Sequence, residues 1–319
     1  MKKNMNKNYF EVLRPGINST FQDNGRNNFY HIGIPFSGAM DSRNFLLANT
    51  ISNNEINNPV LEFAYQGPKL KYIGENISIN VTGDVNFKII RKNKNLEFSC
   101  YENIILENND CLDILSTNRS VYGYLSIGGK FEVDYYLNSC STNTKAKIGA
   151  NSGEKLETGQ IIQLKNIKKI LPKNKIEYLN SKIENIRIIK GPHFDYFSKD
   201  AIDSFFSDEF NVTKLSDRMG IRLKGPKISN IKNTNIKSEG LVKGVIQITA
   251  DGDPIIMLSD HGTIGGYPKI GVVISADYDK LVQIPPGSKV KFKEINLKDA
   301  ETLFKLYEME TQNLISNIK

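Results

Sequence analysis

KGVIQITADGDPIIMLSDHGTIGGYPKIGVVISADYDKLVQ, residues 243–283, sets two apolar runs, Gly244–Thr249 and Pro254–Leu258, on either side of an acidic turn, Ala250-Asp251-Gly252-Asp253. A polar, glycine-rich loop, Ser259–Lys269, follows, and Ile270–Ile274 is apolar again. Short apolar runs bounded by Gly, Asp and Pro read as strands. A loop dense in Asp, Thr, Gly and Lys between such strands is how a rigid sheet presents polar chemistry. A plain β-hairpin with a long connection is the competing reading of the same composition.

Working outward, the same texture recurs on both sides. Upstream, Leu61–Ala64, Lys69–Ile73, Ile77–Thr82, Val85–Ile90, Leu96–Tyr101, Cys111–Leu115 and Tyr122–Ile127 read as strands at the close spacing of a sandwich or barrel. Asn24-Gly25 marks a tight turn with positive φ. Asp41 or Ser42 is set to cap a helix with Phe45, Leu46, Ala48 and Ile51 on its apolar face, ended by Asn53-Asn54. Nearer the opening stretch, Ile186–Ile189 and Phe210–Lys214 read as strands around a short helix begun by Ser198 or Asp200. Downstream, Lys289–Ile295 is a further strand. Asn296 with Asp299 then caps a helix whose stripe is Ala300, Leu303, Phe304 and Tyr307. The charged run Lys165–Lys182, carrying Pro172, divides the chain. The expected organisation is a β domain over 10–178, a second over 185–296 and a terminal helix over 297–319.

Composition narrows the function classes. With 39% hydrophobic and 24% charged residues, the 319-residue chain reads as globular and water-soluble. Its net charge of +7 is scattered, and no nucleic-acid motif accompanies it. No apolar run has the length of a membrane span, and the start has no signal-peptide core, so a cytoplasmic protein is expected. Three cysteines without CxxC spacing, and His31, His193 and His261 far apart, argue against a disulfide framework and a metal site. Gly128-Gly129-Lys130 lacks the rest of a P-loop.

Polar islands remain at strand ends. Gln22, Asp23 and Arg26 offer an amide, a carboxylate and a guanidinium for a small planar group, or an internal turn in which Asp23 pairs with Arg26. Asp217-Arg218 allows the same two readings. Glu239 is a candidate acid or base, or an ordinary surface carboxylate. Asp260 and Thr263 can orient a substrate, Gly265-Gly266 can bring main-chain amides near an anion, and Lys269 adds charge; equally, the glycines turn the chain and Lys269 is solvated.

In order along the chain, Thr20–Arg26, Gly33–Asp41, Ala48-Asn49, Leu61-Glu62, Gly67-Pro68, Ser141-Thr142, Ser216–Leu223, Ser238–Gly240, Ile246-Gln247, Gly252–Ile255 and Gly265–Ile270 resemble the biotin-dependent carboxyltransferase family typified by allophanate hydrolase subunit 2 and the C component of bacterial 5-oxoprolinase. The likeness spans about Val12 to Phe292. It implies a mainly β fold of two cyclophilin-like β-barrel domains with a few short helices and a C-terminal helix. It also implies a smaller partner subunit, a lactam-utilisation subunit in the 5-oxoprolinase case, and ATP used by the complex to open 5-oxoproline to L-glutamate. Alternatives within the resemblance are carboxyl transfer to urea or another amide from carboxybiotin on a separate carrier, and a non-catalytic regulator that binds its smaller partner. The implied site takes Asp260 and Glu239 as catalytic. Gln22, Asp23, Arg26, Ser37, Arg218, Gln247, Thr263, Gly265, Gly266, Tyr267 and Lys269 contact substrate, with no metal. The chain departs from the family pattern at Gly262 and Ile264 in the loop and at Cys140, where the pattern has glutamine, threonine and arginine.

Overall fold

A computed structural model describes residues 7–168, 174–178, 183, 185–230, 232 and 235–318. The expected boundary around Pro172 and Lys169 lies largely outside the described residues. The chain divides into two compact units: Met1–Arg26 with Ser42–Asn180 and Thr311–Lys319, and Asn27–Asp41 with Ser181–Glu310. Residues 27–41 therefore group with the second unit, and residues 311–319 with the first.

The first unit holds strands β1 (Tyr9–Arg14), β2 (Thr20–Gln22), β3 (Val60–Ala64), β4 (Lys69–Ile73), β5 (Ile77–Thr82), β6 (Val85–Arg91), β7 (Lys94–Glu97), β8 (Ile104–Leu106), β9 (Cys111–Thr117), β10 (Tyr122–Ile127), β11 (Lys130–Phe131) and β12 (Ile161–Lys165). They form a seven-stranded sheet, β11-β12-β1-β4-β9-β6-β7, and a five-stranded sheet, β2-β3-β10-β5-β8. Alternate residues of the larger sheet point inward, as Phe10 and Val12 do on β1 and Leu70 and Tyr72 on β4. They share one core with Leu61, Phe63, Ile79 and Val81 of the smaller sheet. The expected strand over Leu96–Tyr101 is displaced to β7. Lys92 and Asn93 both have positive φ, 48° and 64°, so a two-residue turn pairs Arg91 with Lys94 and starts the return strand early.

Helix α1 (Ser42–Ile51) ends where Asn53 turns left-handed at φ 48°. It buries Phe45, Ala48 and Ile51 as the periodicity predicts, but Leu47 rather than Leu46 is the fully buried leucine. Arg43, Asn44 and Asn49 are buried too, so the helix is enclosed nearly all round.

The second unit contains β13 (Asn185–Lys190), β14 (Phe210–Val212), β15 (Gly220–Lys224), β16 (Glu239–Gly240), β17 (Val245–Ile248), β18 (Pro254–Met257), β19 (Ile264–Gly265), β20 (Lys269–Val273) and β21 (Lys289–Glu294). Seven of them close a barrel in the order β13-β20-β17-β18-β15-β14-β21, with β13 and β21 pairing in parallel. Its core is aromatic: Phe205 stacks on Phe292 at 4.4 Å, and Phe210 tilts against both. Phe205 comes from helix α2 (Lys199–Ser207), whose N-cap Ser198 accepts from Ala201 N–H at 3.2 Å. Helix α3 (Ser275–Leu281), inside the opening stretch, has no counterpart in the sequence reading. It buries Ala276, Asp277, Tyr278 and Leu281. Helix α4 (Leu297–Ser316) begins with the expected cap, Asp299 N–H donating to Asn296 Oδ1 at 2.9 Å. Ala300, Leu303 and Tyr307 pack inward or partly so, whereas Phe304 is exposed.

Candidate functional site

The loop after β18 is buried from Leu258 to His261. Arg218 Nε donates to Asp260 Oδ2 at 2.8 Å, and its Nη2 donates to Asp260 Oδ1 at 3.1 Å and to the Gly38 carbonyl at 2.7 Å. The Asp260 N–H donates to the Arg218 carbonyl at 2.9 Å, and the Ser37 N–H to the Ser259 carbonyl at 3.0 Å. Three segments far apart in sequence, Ser37-Gly38, Arg218 and Ser259-Asp260, thus converge. The pair is planar, two-pronged and dry, which fixes direction as well as charge. Both Asp260 oxygens face Arg218, so as folded Asp260 aims the guanidinium. His261 Nδ1 lies 2.6 Å from the Gly262 carbonyl, which places the proton on Nδ1. Burial lowers the His261 pKa.

A second cluster forms where β16 and β19 pair, setting Glu239 opposite Gly265. Lys269 is only 3% exposed, and its Nζ donates to Glu239 Oε2 at 2.7 Å. That hydrogen bond holds the Glu239 carboxyl below its usual range, assisted by the nearby charge and by His193. His193 Nδ1 accepts the Lys269 N–H at 3.3 Å, leaving Nε2 as the protonated nitrogen, 3.7 Å from Glu239 Oε2. His193 escapes sequence reasoning because 76 positions separate it from Lys269 and no spacing marks it. Gln247 Nε2 donates to the Tyr267 carbonyl at 3.0 Å. Gly265 is a close-approach glycine: a Cβ there would lie 2.7 Å from Gln247 Nε2. Gly266 is looser, its nearest atom being the Ile236 carbonyl oxygen at 3.3 Å. Thr263 is half-buried and its carbonyl accepts the Leu241 N–H at 3.0 Å, while Tyr267 is exposed.

Gln22, Asp23 and Arg26 belong to the first unit and are fully enclosed there. Asp23 Oδ1 accepts from Ser139 Oγ and Ser141 Oγ, each at 2.6 Å, and from Gly25 N–H at 2.9 Å. Its Oδ2 accepts the Cys140 N–H at 2.8 Å. Arg26 donates to the carbonyls of Tyr136 and Ser141, and Gln22 to that of Thr142. Gly149, at φ 98°, is forced by the same fold, since a Cβ would sit 2.1 Å from the Ser141 carbonyl oxygen. In this arrangement the three side chains fasten the 136–142 segment. Cys140 lies inside it, and burial pushes its thiol pKa well up.

Among the described residues no group of His, Cys, Asp and Glu has the geometry to hold a metal ion, and no helix is long and apolar enough to cross a membrane. Gly128-Gly129-Lys130 leads into strand β11 and not a helix, with Lys130 Nζ 5.2 Å from the Tyr135 ring centre, so it makes no phosphate cradle.

Fold and clusters together define a mainly β protein whose second unit is a closed barrel with ionic chemistry on the loops at its strand ends. The chain belongs to the carboxyltransferase-domain family: the family described as carboxyltransferase domain, subdomain A and B, matches residues 32–294. The C subunit of Escherichia coli 5-oxoprolinase is 28% identical over 306 residues, covering 91% of this chain and 92% of that protein. The urea amidolyase of Lachancea kluyveri is 30% identical over 92% of this chain but only 17% of its own length. The crystal structure of the K. lactis urea amidolyase superposes with a TM-score of 0.87 at 28% identity, over 98% of this chain and 20% of that one.

Proposed function

We propose that this chain is the C-type subunit of an ATP-dependent 5-oxoprolinase complex, opening 5-oxoproline to L-glutamate together with a smaller partner subunit and a lactam-utilisation subunit. The observation that carries the reading is the likeness to the C subunit of a 5-oxoprolinase over nine-tenths of both chains. ATP supplies the driving force for opening a stable amide. Gly128-Gly129-Lys130 forms no cradle for it, and the nucleotide is taken as used by the complex. In this chain Glu239, half-exposed and ionised beside Lys269, handles the proton, and Arg218, aimed by Asp260, holds the amide oxygen.

The test is 5-oxoproline-dependent ADP release by the co-purified complex. Asp260→Ala is expected to abolish release while the complex still assembles, and unchanged turnover removes Asp260 from the site. Absence of release by the wild type with every candidate partner present sinks the reading. The second reading, carboxyl transfer to an amide from carboxybiotin on a separate carrier, is favoured by the likeness to urea amidolyase. It predicts urea-dependent consumption of carboxybiotin instead.

A further inference from the structure

Lys243 sits on the turn that delivers β17 into the barrel, next to Gly244, whose φ of 86° only glycine adopts freely. The turn is locked on both sides. Gly244 N–H donates to the Met257 carbonyl at 2.8 Å, and Val273 N–H donates to the Gly244 carbonyl at 2.9 Å. The Lys243 ammonium lies 4.1 Å from the centre of the Tyr278 ring, a contact that holds a cation over a π face. Tyr278 is buried, and its hydroxyl is 3.5 Å from Ser259 Oγ, the residue before Asp260. A cation is therefore held beside the loop that carries the Arg218–Asp260 pair.

No carboxylate pairs directly with this cation among the described residues. Among the described residues Lys243 has the ring contact but no hydrogen bond or ion pair. The charges that bear on it are Asp279 and Asp41, which favour the ammonium, and Arg218, which opposes it. Asp41 accepts from Gln283 Nε2 at 2.8 Å, and Asp279 accepts from the Tyr307 hydroxyl. Burial outweighs these charges and lowers the Lys243 pKa, although the residue as a whole remains open to solvent. Two other cations of this unit differ: Arg218 is paired with Asp260, and Lys269 with Glu239.

We infer that Lys243 takes the carboxylate of the substrate and so selects a carboxylated cyclic amide over an uncharged amide. The inference rests on the 5-oxoprolinase reading. 5-Oxoproline carries a ring amide and a carboxylate, whereas urea has no charge for a lone ammonium to meet.

Calorimetric titration of the co-purified complex with 5-oxoproline and with 2-pyrrolidinone, the same ring without the carboxylate, tests it. The wild type is expected to bind 5-oxoproline roughly tenfold to a hundredfold more tightly, the range of a hydrogen bond between charged groups. Lys243→Met should bring the two affinities close together by weakening 5-oxoproline alone, and Lys243→Arg should restore most of the preference. A Lys243→Met variant that keeps the preference, or that loses both rings alike, overturns the assignment and leaves the 5-oxoprolinase reading standing. A wild type that binds both rings equally also overturns it. A wild type that binds neither ring sinks both.

Discussion

Asp23 in the first unit and Asp260 in the second are both buried, yet the groups that hold them differ in kind. Asp23 is held by two serine hydroxyls and two main-chain amides, neutral donors that belong to a folded-over segment of its own unit. Asp260 is held by one guanidinium that grips both its oxygens. Neutral donors arranged around a carboxylate fasten a loop. A cation gripped by a carboxylate keeps its remaining N–H groups pointed in a chosen direction. Glu239 is a third case, with a half-exposed carboxylate on a buried lysine, where the charge stays available at the surface. Similar residue types thus serve anchoring in one unit and presentation in the other.

The contrast is broken most forcefully at Asp23. Replacing it with alanine strands three buried donors, each costing about 1–3 kcal/mol, and the half-buried Gly25 N–H, so Asp23→Ala should lose roughly 4 kcal/mol or more in urea unfolding. A loss too small to resolve would remove the anchoring role. Asp260→Ala leaves the Arg218 guanidinium buried without its counter-charge and should cost about 3 kcal/mol, read in the transition of the second unit. An unfolding curve that shifts in the first unit instead would contradict the division.

The acid side sharpens the comparison further, because all three histidines lie in the second unit. The folded-state pKa of His261 is below its ordinary value, so its contribution to stability is full above about pH 6.5 and is lost as the pH falls through the folded value. The second unit should therefore weaken between neutral and mildly acidic pH, and His261→Asn should flatten that slope in a pH series of thermal melts. The smallest structural change is expected at Glu239. Gln can still accept from Lys269 but leaves that buried ammonium without its counter-charge, so Glu239→Gln should lower the melting temperature less than Asp260→Ala, which removes acceptor and charge together. Turnover should fall about a hundredfold or more if the carboxylate moves a proton; parallel losses in both measurements would make the residue structural.

Local chemistry in the sequence carried a large part of the fold. The Asn296–Asp299 cap, the left-handed Asn53 and the strands on either side of Asp251-Gly252 stand where side-chain type and period place them. The displaced β7 was hidden because Lys92-Asn93 lacks the glycine that usually marks a two-residue turn. Helix α3 was hidden because its buried Asp277 reads as polar, whereas it accepts from Arg187. The site was legible as separate islands, and Glu239, Gln247, Gly265 and Lys269 do come together. His193 and Lys243 were invisible, since each owes its place to partners tens of residues away. Gly262 tells a related story. A Cβ there would meet its nearest neighbour, the Ile264 carbonyl oxygen, at an ordinary 3.6 Å, so packing does not demand glycine at this departure from the family pattern.

The division of the chain bears on the order in which a ribosome delivers it. Residues 27–41 emerge early yet wait for Arg218 and Ser259, which Gly38 and Ser37 meet within the second unit. The first unit waits longer, because Arg43 donates to Thr311 Oγ1 at 2.9 Å and Leu314, Ile315 and Ile318 pack against Leu47 and Ile51. The sheets and core of the first unit are complete by Lys165, but helix α1 gains its 311–318 contacts only after the whole second unit has been translated, so the first unit is finished last.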